Sequence, residues 1–106
     1  MTDYLQLSTT TATAQQAEEI AKALVEQRLA ACVQIIPQVR SVYRWQGKIE
    51  QADEWLCLVK THRSLLSQVE AEICQRHSYE CPELIAVPVE AGSAAYLEWL
   101  GKQLDS

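Results

Sequence analysis

The chain has 106 residues, 48% of them hydrophobic, and a formal net charge of −5. This size and apolar content suit one ordinary domain covering residues 1–106, and they exclude a disordered chain. The acidic charge argues against nucleic acid and anionic membrane surfaces as partners, and no apolar run approaches the ~20 residues of a membrane span. The first residues show no basic and apolar leader, so we expect a cytoplasmic protein.

The residues that are missing or scarce exclude several kinds of site. The chain contains no Asn and only three Gly, whereas phosphate-binding and dinucleotide-binding loops need glycines at fixed spacing. The four cysteines form no C-x-x-C pair, which leaves a closed zinc site unsupported, and they should be reduced in the cytosol. We therefore expect a protein that is not an enzyme and that needs no organic cofactor.

The first 30 residues predict a strand, a loop and a helix. Residues 3–9 alternate between apolar and polar side chains and predict a strand, and the run Ser8–Thr13 predicts a polar loop. Thr13 followed by Gln16 resembles a capping box. Apolar residues at helical spacing then predict a helix that ends near Arg28–Leu29.

The stretch from Ala30 to Thr61 predicts one long β-hairpin. It is rich in β-branched and aromatic residues, and Gln46-Gly47 suits a two-residue turn. Pro37 cannot donate to a β-ladder and marks an edge or a bulge. The apolar run Trp55–Val59 is typical of a strand that is covered on both faces. Because the arms are longer than a small sheet needs, we expect the hairpin to overhang its core and to pack against another subunit.

The remaining residues predict a helix, a strand and a final helix. Ser64 or Thr61 is expected to cap the second helix, which should end near Arg76–His77. A short apolar strand follows at residues 84–87, and Ser93 can cap a last helix. The complete order, β-α-β-β-α-β with an added C-terminal helix, predicts an α+β protein of the ferredoxin-like class.

Two long segments resemble the CutA divalent-cation-tolerance family. They are A-C-V-Q-I-I-P-Q-V-R-S-V-Y-R-W-Q-G-K-I-E, from Ala31 to Glu50, and H-S-Y-E-C-P-E-L-I-A-V-P-V-E-A-G, from His77 to Gly92. The resemblance implies a cytosolic homotrimer, similar in architecture to the PII trimers, that binds copper or other divalent metal ions. Gln38 stands where Gly is common in the family. Ser8 stands where some members carry a cysteine implicated in metal binding, so that role does not transfer.

Four residues are candidate metal ligands. Cys32 matches the cysteine of the family's A-C-V segment, and His77, Glu80 and Cys81 share one short loop. Thiolate, imidazole and carboxylate groups suit copper and zinc. The alternatives are a small buried side chain for Cys32 and a solvated loop for the others. Because the spacing matches no closed zinc site, a metal site shared between subunits is the expected arrangement.

A second group of residues predicts a ligand cleft or a subunit interface. Tyr43, Arg44, Trp45 and Lys48 flank the tip of the hairpin, and Glu83 joins them from the loop. Aromatic and charged side chains together can hold a small ligand, although burial against neighbouring subunits is the stronger interpretation. Two functions follow: a trimer that binds divalent metal and supports cation tolerance, or a PII-like signalling or scaffold trimer that binds a small molecule or protein partner between subunits.

Overall fold

The computed structural model describes residues 2–105, so Met1 and Ser106 lie outside it. Its strands are β1 (Tyr4–Thr11), β2 (Cys32–Trp45), β3 (Lys48–His62) and β4 (Ile85–Pro88). Its helices are α1 (Ala14–Glu26), α2 (Leu66–Arg76, after a 3-10 turn) and α3 (Ala94–Gln103). The predicted α+β class and the element order are confirmed. Within the described range, no helix has both the length and the apolar character needed to cross a membrane.

The four strands form one antiparallel sheet in the order β2-β3-β1-β4. Leu7 of β1 lies opposite Val59 of β3, and both are almost fully buried. They pack with Ile20 of α1 and with Val69 and Ile73 of α2 in one apolar core. The opposite face of the sheet is more open, since Leu56 and Leu58 are only partly buried. Within one subunit, the run Trp55–Val59 is therefore covered on one face and not on both.

The predicted hairpin and its turn are confirmed. Gln46 and Gly47 have φ values of 49° and 80°, and a two-residue turn of the primed type needs positive φ at both positions. The ladder shifts between Ile36 and Val39, where Pro37 and Gln38 together face Trp55. Gln38 has φ of 59°, so a residue with a side chain occupies the left-handed conformation in this bulge. The bulge predicted from Pro37 is also present.

The hairpin extends well beyond the sheet. β1 pairs with β3 only as far as Trp55, so residues 39–54 form a two-stranded ribbon, and no third strand of the described chain lies beside it. The molecule measures 44 × 25 × 22 Å as a result. Val42 and Ile49 share one face of the ribbon, and each is 61% exposed. The predicted overhang is confirmed, and we name residues 39–54 the ribbon.

Three local predictions are wrong. The run Ser8–Thr11 is strand and not loop, because Thr9 and Thr11 are buried on the helix-covered face. Helix α1 ends at Glu26, because Arg28 adopts φ of 60° and the N–H groups of residues 28 and 29 turn back to bond residues 25 and 24. Neither Thr61 nor Ser64 caps the second helix. His62 Nδ1 instead accepts the Ser64 N–H at 3.0 Å at the start of the 3-10 turn.

Candidate functional site

A cleft of about 790 Å³ opens between the ribbon and the loop that joins α2 to β4. One wall comes from the sheet and the hairpin, and the other comes from the loop. The lining residues are Thr10 of β1, Ser41, Val42, Tyr43 and Trp45 of β2, Glu54 of β3, and residues 78–83 of the loop. The cleft therefore joins two segments that are far apart in the sequence.

The bulge sets the hairpin wall of the cleft. Val39 pairs with Glu54, and alternate residues of a strand share a face. Tyr43 and Trp45 consequently lie on the same side of the hairpin as Glu54. A shift of one residue exchanges the two faces of a strand, so without the extra residue of the bulge Arg40 and Arg44 would occupy this side.

Hydrogen bonds from His77 and Tyr79 hold the loop wall in place. His77 Nε2 lies 2.7 Å from the carbonyl oxygen of Thr10, and the Tyr79 N–H donates to His77 Nδ1 at 3.1 Å. Because Nδ1 accepts, this network assigns the proton of the neutral imidazole to Nε2, which donates to Thr10. The Tyr79 hydroxyl donates to Oε2 of Glu54 at 2.7 Å and so connects the loop to the hairpin.

Gln16 of α1 also stabilises this loop, through two side-chain hydrogen bonds. Its Nε2 donates to the carbonyl oxygen of Arg76 at 3.2 Å, and its Oε1 accepts from the Ser78 hydroxyl at 3.0 Å. The Thr13 hydroxyl accepts the Gln16 N–H at 3.1 Å, which is the first half of the predicted capping box. The second half is absent among residues 2–105, because the Gln16 side chain bonds the loop and not the backbone of Thr13.

The cleft is acidic. Glu54 is only 6% exposed, whereas Glu80, Cys81 and Glu83 are exposed in the loop. Among the described residues that line the cleft there is no Lys, Arg or His. Burial, followed by the hydrogen bond to Glu54, raises the pKa of Tyr79 above its ordinary value, so Tyr79 remains a neutral donor at physiological pH. The negative charge favours cationic ligands over anionic ones.

The structure brings five of the predicted site residues together. Tyr43, Trp45, Glu80, Cys81 and Glu83 all line the cleft. Two separate predictions, one at the hairpin tip and one in the loop, thus describe parts of one site. Whether these residues contact a ligand or a metal stays a prediction.

The other four predicted residues lie outside the lining of the cleft. His77 supports the loop and has both ring nitrogens in hydrogen bonds, so metal coordination would require one of these bonds to break. Arg44 and Lys48 are exposed on the ribbon, where they remain predicted interface residues. Cys32 pairs with Lys60, four residues along β3 from the Leu56 that pairs with Thr10. Four residues span about 13 Å of strand, so Cys32 is not brought to the loop.

No three His, Cys, Asp or Glu side chains within residues 2–105 are grouped so that they could hold a metal ion. The loop carries three donors within four residues of sequence, Glu80, Cys81 and Glu83. A thiolate with carboxylates suits zinc or copper in chemical type. Within one subunit these residues supply donors without completing a metal site.

Glu54 and Tyr79 were not among the predicted site residues. Glu54 precedes the apolar run of β3 and has the pattern of an exposed charge, while Tyr79 lies 25 residues away along the chain. Tyr79 was part of the H-S-Y-E segment that carries the family resemblance, and that was the only available signal. Their hydrogen bond depends on the ladder register and on the path of the loop, which local sequence does not specify.

Comparison with known proteins places this chain in a family. The family model described as CutA1 divalent ion tolerance protein matches residues 5–103. The mouse protein CutA is 48% identical over 90 residues, which cover 85% of this chain and 51% of the mouse protein. The divalent-cation tolerance protein CutA of Thermus thermophilus is 46% identical over 84 residues, covering 79% of this chain and 82% of that protein. The chain thus spans about half the length of the mouse relative.

Solved structures agree with the sequence comparison. CutA1 from the psychrotrophic bacterium Shewanella sp. SIB1 superimposes with a TM-score of 0.95 at 38% identity, covering 99% of this chain and 98% of that one. The divalent cation tolerance protein of Thermus thermophilus gives a TM-score of 0.94 at 39% identity, covering 96% and 99% of the two chains. These values show the same fold along nearly the whole length.

The strand order and the helix-covered face define an α+β protein of the ferredoxin-like class, with an acidic cleft beside its long hairpin. The chain belongs to the CutA1 divalent ion tolerance protein family. The resemblance seen in the sequence is confirmed. The names of the family and of its relatives describe tolerance to divalent cations and state no reaction.

Proposed function

We propose that residues 1–106 act as one domain that assembles into a homotrimer, binds divalent metal ions and contributes to divalent-cation tolerance without catalysis. The observation that carries the proposal is family membership over residues 5–103. Copper(II) and zinc(II) are the ions for which the donor types are best suited. The proposed compartment is the cytoplasm, where the four unpaired cysteines would stay reduced. Some relatives are described as chloroplastic or periplasmic, so the location of this protein is to be measured directly.

Exposed apolar side chains support self-association. Ile85 and Val87 of β4 pair with Ser8 and Gln6, so they lie on the sheet face that the helices leave open. They are 58% and 55% exposed, and Ile36 at the edge strand is 42% exposed. Apolar patches of this kind on a folded subunit are typical of an interface. Covering them in a closed ring would also protect the edge of β2.

The loop of one subunit does not supply enough donors for a metal site, and a site shared between subunits would supply the missing ones. Cys81, Glu80 and Glu83 of one subunit provide up to three donors, and symmetry would supply others from a neighbour. Cys32 lies at the end of the hairpin that is opposite its turn. It could therefore join such a site only if Cys32 came from one subunit and the loop residues came from another. His77 could join after releasing Thr10 or Tyr79.

A metal titration with matched variants tests this function. The reduced, purified protein is titrated with Cu(II) and separately with Zn(II), bound metal is counted per subunit, and mass is measured by light scattering. Saturable binding that is lost in Cys81→Ser, but kept in the control Cys74→Ser, is expected, because Cys74 is exposed on α2 outside the cleft. The same titration of His77→Ala and of Cys32→Ser tests whether His77 and Cys32 are metal ligands. Absence of saturable metal uptake would refute the metal-binding function. A monomeric mass would refute the homotrimer.

A second candidate function is binding of a small molecule in the cleft, in the manner of a PII-like signalling or scaffold trimer. The volume of about 790 Å³ lies in the range of small-molecule sites, and Tyr43, Trp45 and Tyr79 provide aromatic walls. Aromatic rings are poor metal ligands, so their presence favours an organic ligand. A thermal-shift screen checks this function, since a ligand that binds only the folded state raises the melting temperature.

A further inference from the structure

Glu54 is a buried carboxylate with no cationic partner among residues 2–105. It is 6% exposed, and its Oε2 accepts the Tyr79 hydroxyl. Its Oε1 accepts no hydrogen bond from residues 2–105, and none of their Lys, Arg or His side chains forms an ion pair with it. This oxygen is therefore available to accept a hydrogen bond from a cation that enters the cleft.

Three aromatic side chains line the same cleft as this carboxylate. Tyr43, Trp45 and Tyr79 line the same cleft, and Tyr43 and Trp45 keep 43% and 45% of their surface exposed. A cation is attracted to the face of an aromatic ring, most strongly to that of Trp. This attraction favours organic ammonium groups, whose weak hydration lets them leave water for an aromatic site.

The size and charge of the cleft favour the same class of ligand. About 790 Å³ is far more than one metal ion fills. Glu80 and Glu83 add negative charge from the loop, and the described lining residues offer no positive charge to oppose it. An anionic or zwitterionic ligand would therefore meet repulsion at its carboxylate or phosphate end.

We propose that the cleft binds a small organic cation bearing an ammonium group, with Glu54 as its counter-ion and Tyr43, Trp45 and Tyr79 as its aromatic cage. This inference rests on the second candidate function, whose ligand class it specifies. Tyr79 holds the carboxylate through Oε2, which leaves Oε1 for the ligand. Trp45 lies one strand position from the hairpin turn and forms the outer part of the cage.

The test compares choline with 3,3-dimethylbutan-1-ol, a neutral molecule of the same shape. Binding to the assembled wild-type protein in EDTA is followed by Trp fluorescence and by NMR line broadening of the ligand. Choline should bind about tenfold more tightly than the neutral alcohol, as a partly desolvated cation–π contact predicts. Equal binding of both would overturn the proposal while leaving the second candidate function in place. Binding of neither would overturn the proposal as well.

Variants assign the preference to the residues named. Glu54→Gln keeps an acceptor for Tyr79 and removes the charge, so the ratio of the two affinities should fall to the part that the aromatic rings supply alone. Glu50→Gln is the matched control, because Glu50 is exposed on the same ribbon and does not line the cleft. Trp45→Leu alters an exposed position and tests the cage if Glu54→Gln fails to fold. An unchanged ratio in a folded Glu54→Gln protein, or in Trp45→Leu, would refute the assigned roles.

The metal titration separates this inference from the primary function. If Zn(II) is taken up and displaces choline, the two ligands compete for the same cleft, and the choline binding itself supports the proposal. If Zn(II) binds while choline never does, the cleft proposal fails and the metal function stands. Choline binding with no metal uptake supports the cleft proposal and removes the metal function.

Discussion

The two halves of the long hairpin are built from similar residues but are stabilised in different ways. At the base, Cys57 and Val59 are fully buried between the other strands and the helices. In the ribbon, Val42 and Ile49 are as apolar as the base, yet each is 61% exposed. Packing stabilises the base, whereas only the ladder between two strands, a positive-φ turn and a few surface contacts stabilise the ribbon within one subunit.

This difference explains where the candidate site lies. Side chains in a packed core have no free surface for a ligand, and burial raises the pKa of the Cys57 thiol to about 11, which makes it a poor ligand and nucleophile. Side chains of the ribbon remain available for a ligand or for another subunit. The cleft forms at the boundary with the base, where Glu54 is the only buried residue of the ribbon.

The largest effect is expected in the core that supports the base. Ile73→Ala removes a fully buried side chain of α2 and should lower the free energy of unfolding by about 2–5 kcal/mol. The exposed neighbour Cys74→Ala is the control and should change it by no more than about 0.5 kcal/mol. Both are measured by denaturant unfolding at one fixed protein concentration. Similar losses for the two variants would contradict the packed core described for this helix.

The next effect concerns the link between the loop and the hairpin. Tyr79→Phe removes the donor to Oε2 of buried Glu54 and should destabilise the fold by about 1–3 kcal/mol. Equilibrium unfolding at pH 7 measures the change. The exposed Tyr43→Phe serves as the control, because the hydroxyl of Tyr43 has no hydrogen-bond partner in the described part of the chain.

The same pair of residues predicts a dependence on alkaline pH. The pKa of Tyr79 is raised in the folded state, so the unfolded chain loses this proton first as pH rises. Its contribution to stability is therefore complete below the ordinary tyrosine pKa of about 10 and declines as pH rises toward the folded-state pKa. Tyr79→Phe should show a shallower alkaline loss of stability than the wild type. Identical pH slopes above pH 9.5 would be inconsistent with this assignment.

A smaller effect of opposite sign is expected at the bulge. Gln38→Gly should relieve the side-chain penalty of φ 59° and stabilise the protein by up to about 1 kcal/mol, partly offset by the greater chain entropy of Gly. Gln51→Gly lies on the extended part of the ribbon and should instead destabilise it. Thermal unfolding of the two variants in parallel tests whether the backbone strain is located at residue 38. A loss of stability in Gln38→Gly would show that it is not.

The smallest effect is expected for the ion pair of the ribbon. Arg40 Nε and Asp53 Oδ1 lie 3.5 Å apart, with side chains 71% and 61% exposed. Arg40→Ala should change the free energy of unfolding by about 0–1 kcal/mol, and salt should diminish the change. A double-mutant cycle with Asp53→Ala measures the coupling. A coupling above about 2 kcal/mol would mean that the ribbon is desolvated, as it would be at a subunit interface.

The elements that the sequence predicted well depend on neighbouring residues. The turn at Gln46-Gly47, the bulge after Pro37 and the cap at Ser93, whose hydroxyl accepts the Tyr96 N–H at 3.2 Å, each follow from the conformational preferences of a few adjacent residues. The last part of β1, Thr10 and Thr11, was missed because its threonines are polar in sequence. Their burial results from β3 and the helices, which are distant along the chain.

The composition of the cleft was predictable in part. Tyr43, Trp45, Glu80, Cys81 and Glu83 could be named because aromatic, acidic and thiol groups have evident chemistry. Their meeting in one cleft could not be derived, since it depends on a one-residue bulge and on the Tyr79–Glu54 hydrogen bond. Cys32, which has equally suitable chemistry, lies at the other end of the hairpin base.

The amino-acid sequence alone was thus sufficient for the α+β class, the element order, the long hairpin and the family, because periodicity, turn residues and long ordered segments are local properties of the chain. Only the folded structure decided which face of the hairpin meets the loop, and that Glu54 is buried with no ion pair to any residue from 2 to 105. Strand register and the path of a loop are set by contacts between residues distant in sequence, and a shift of one residue would have given the cleft a different wall.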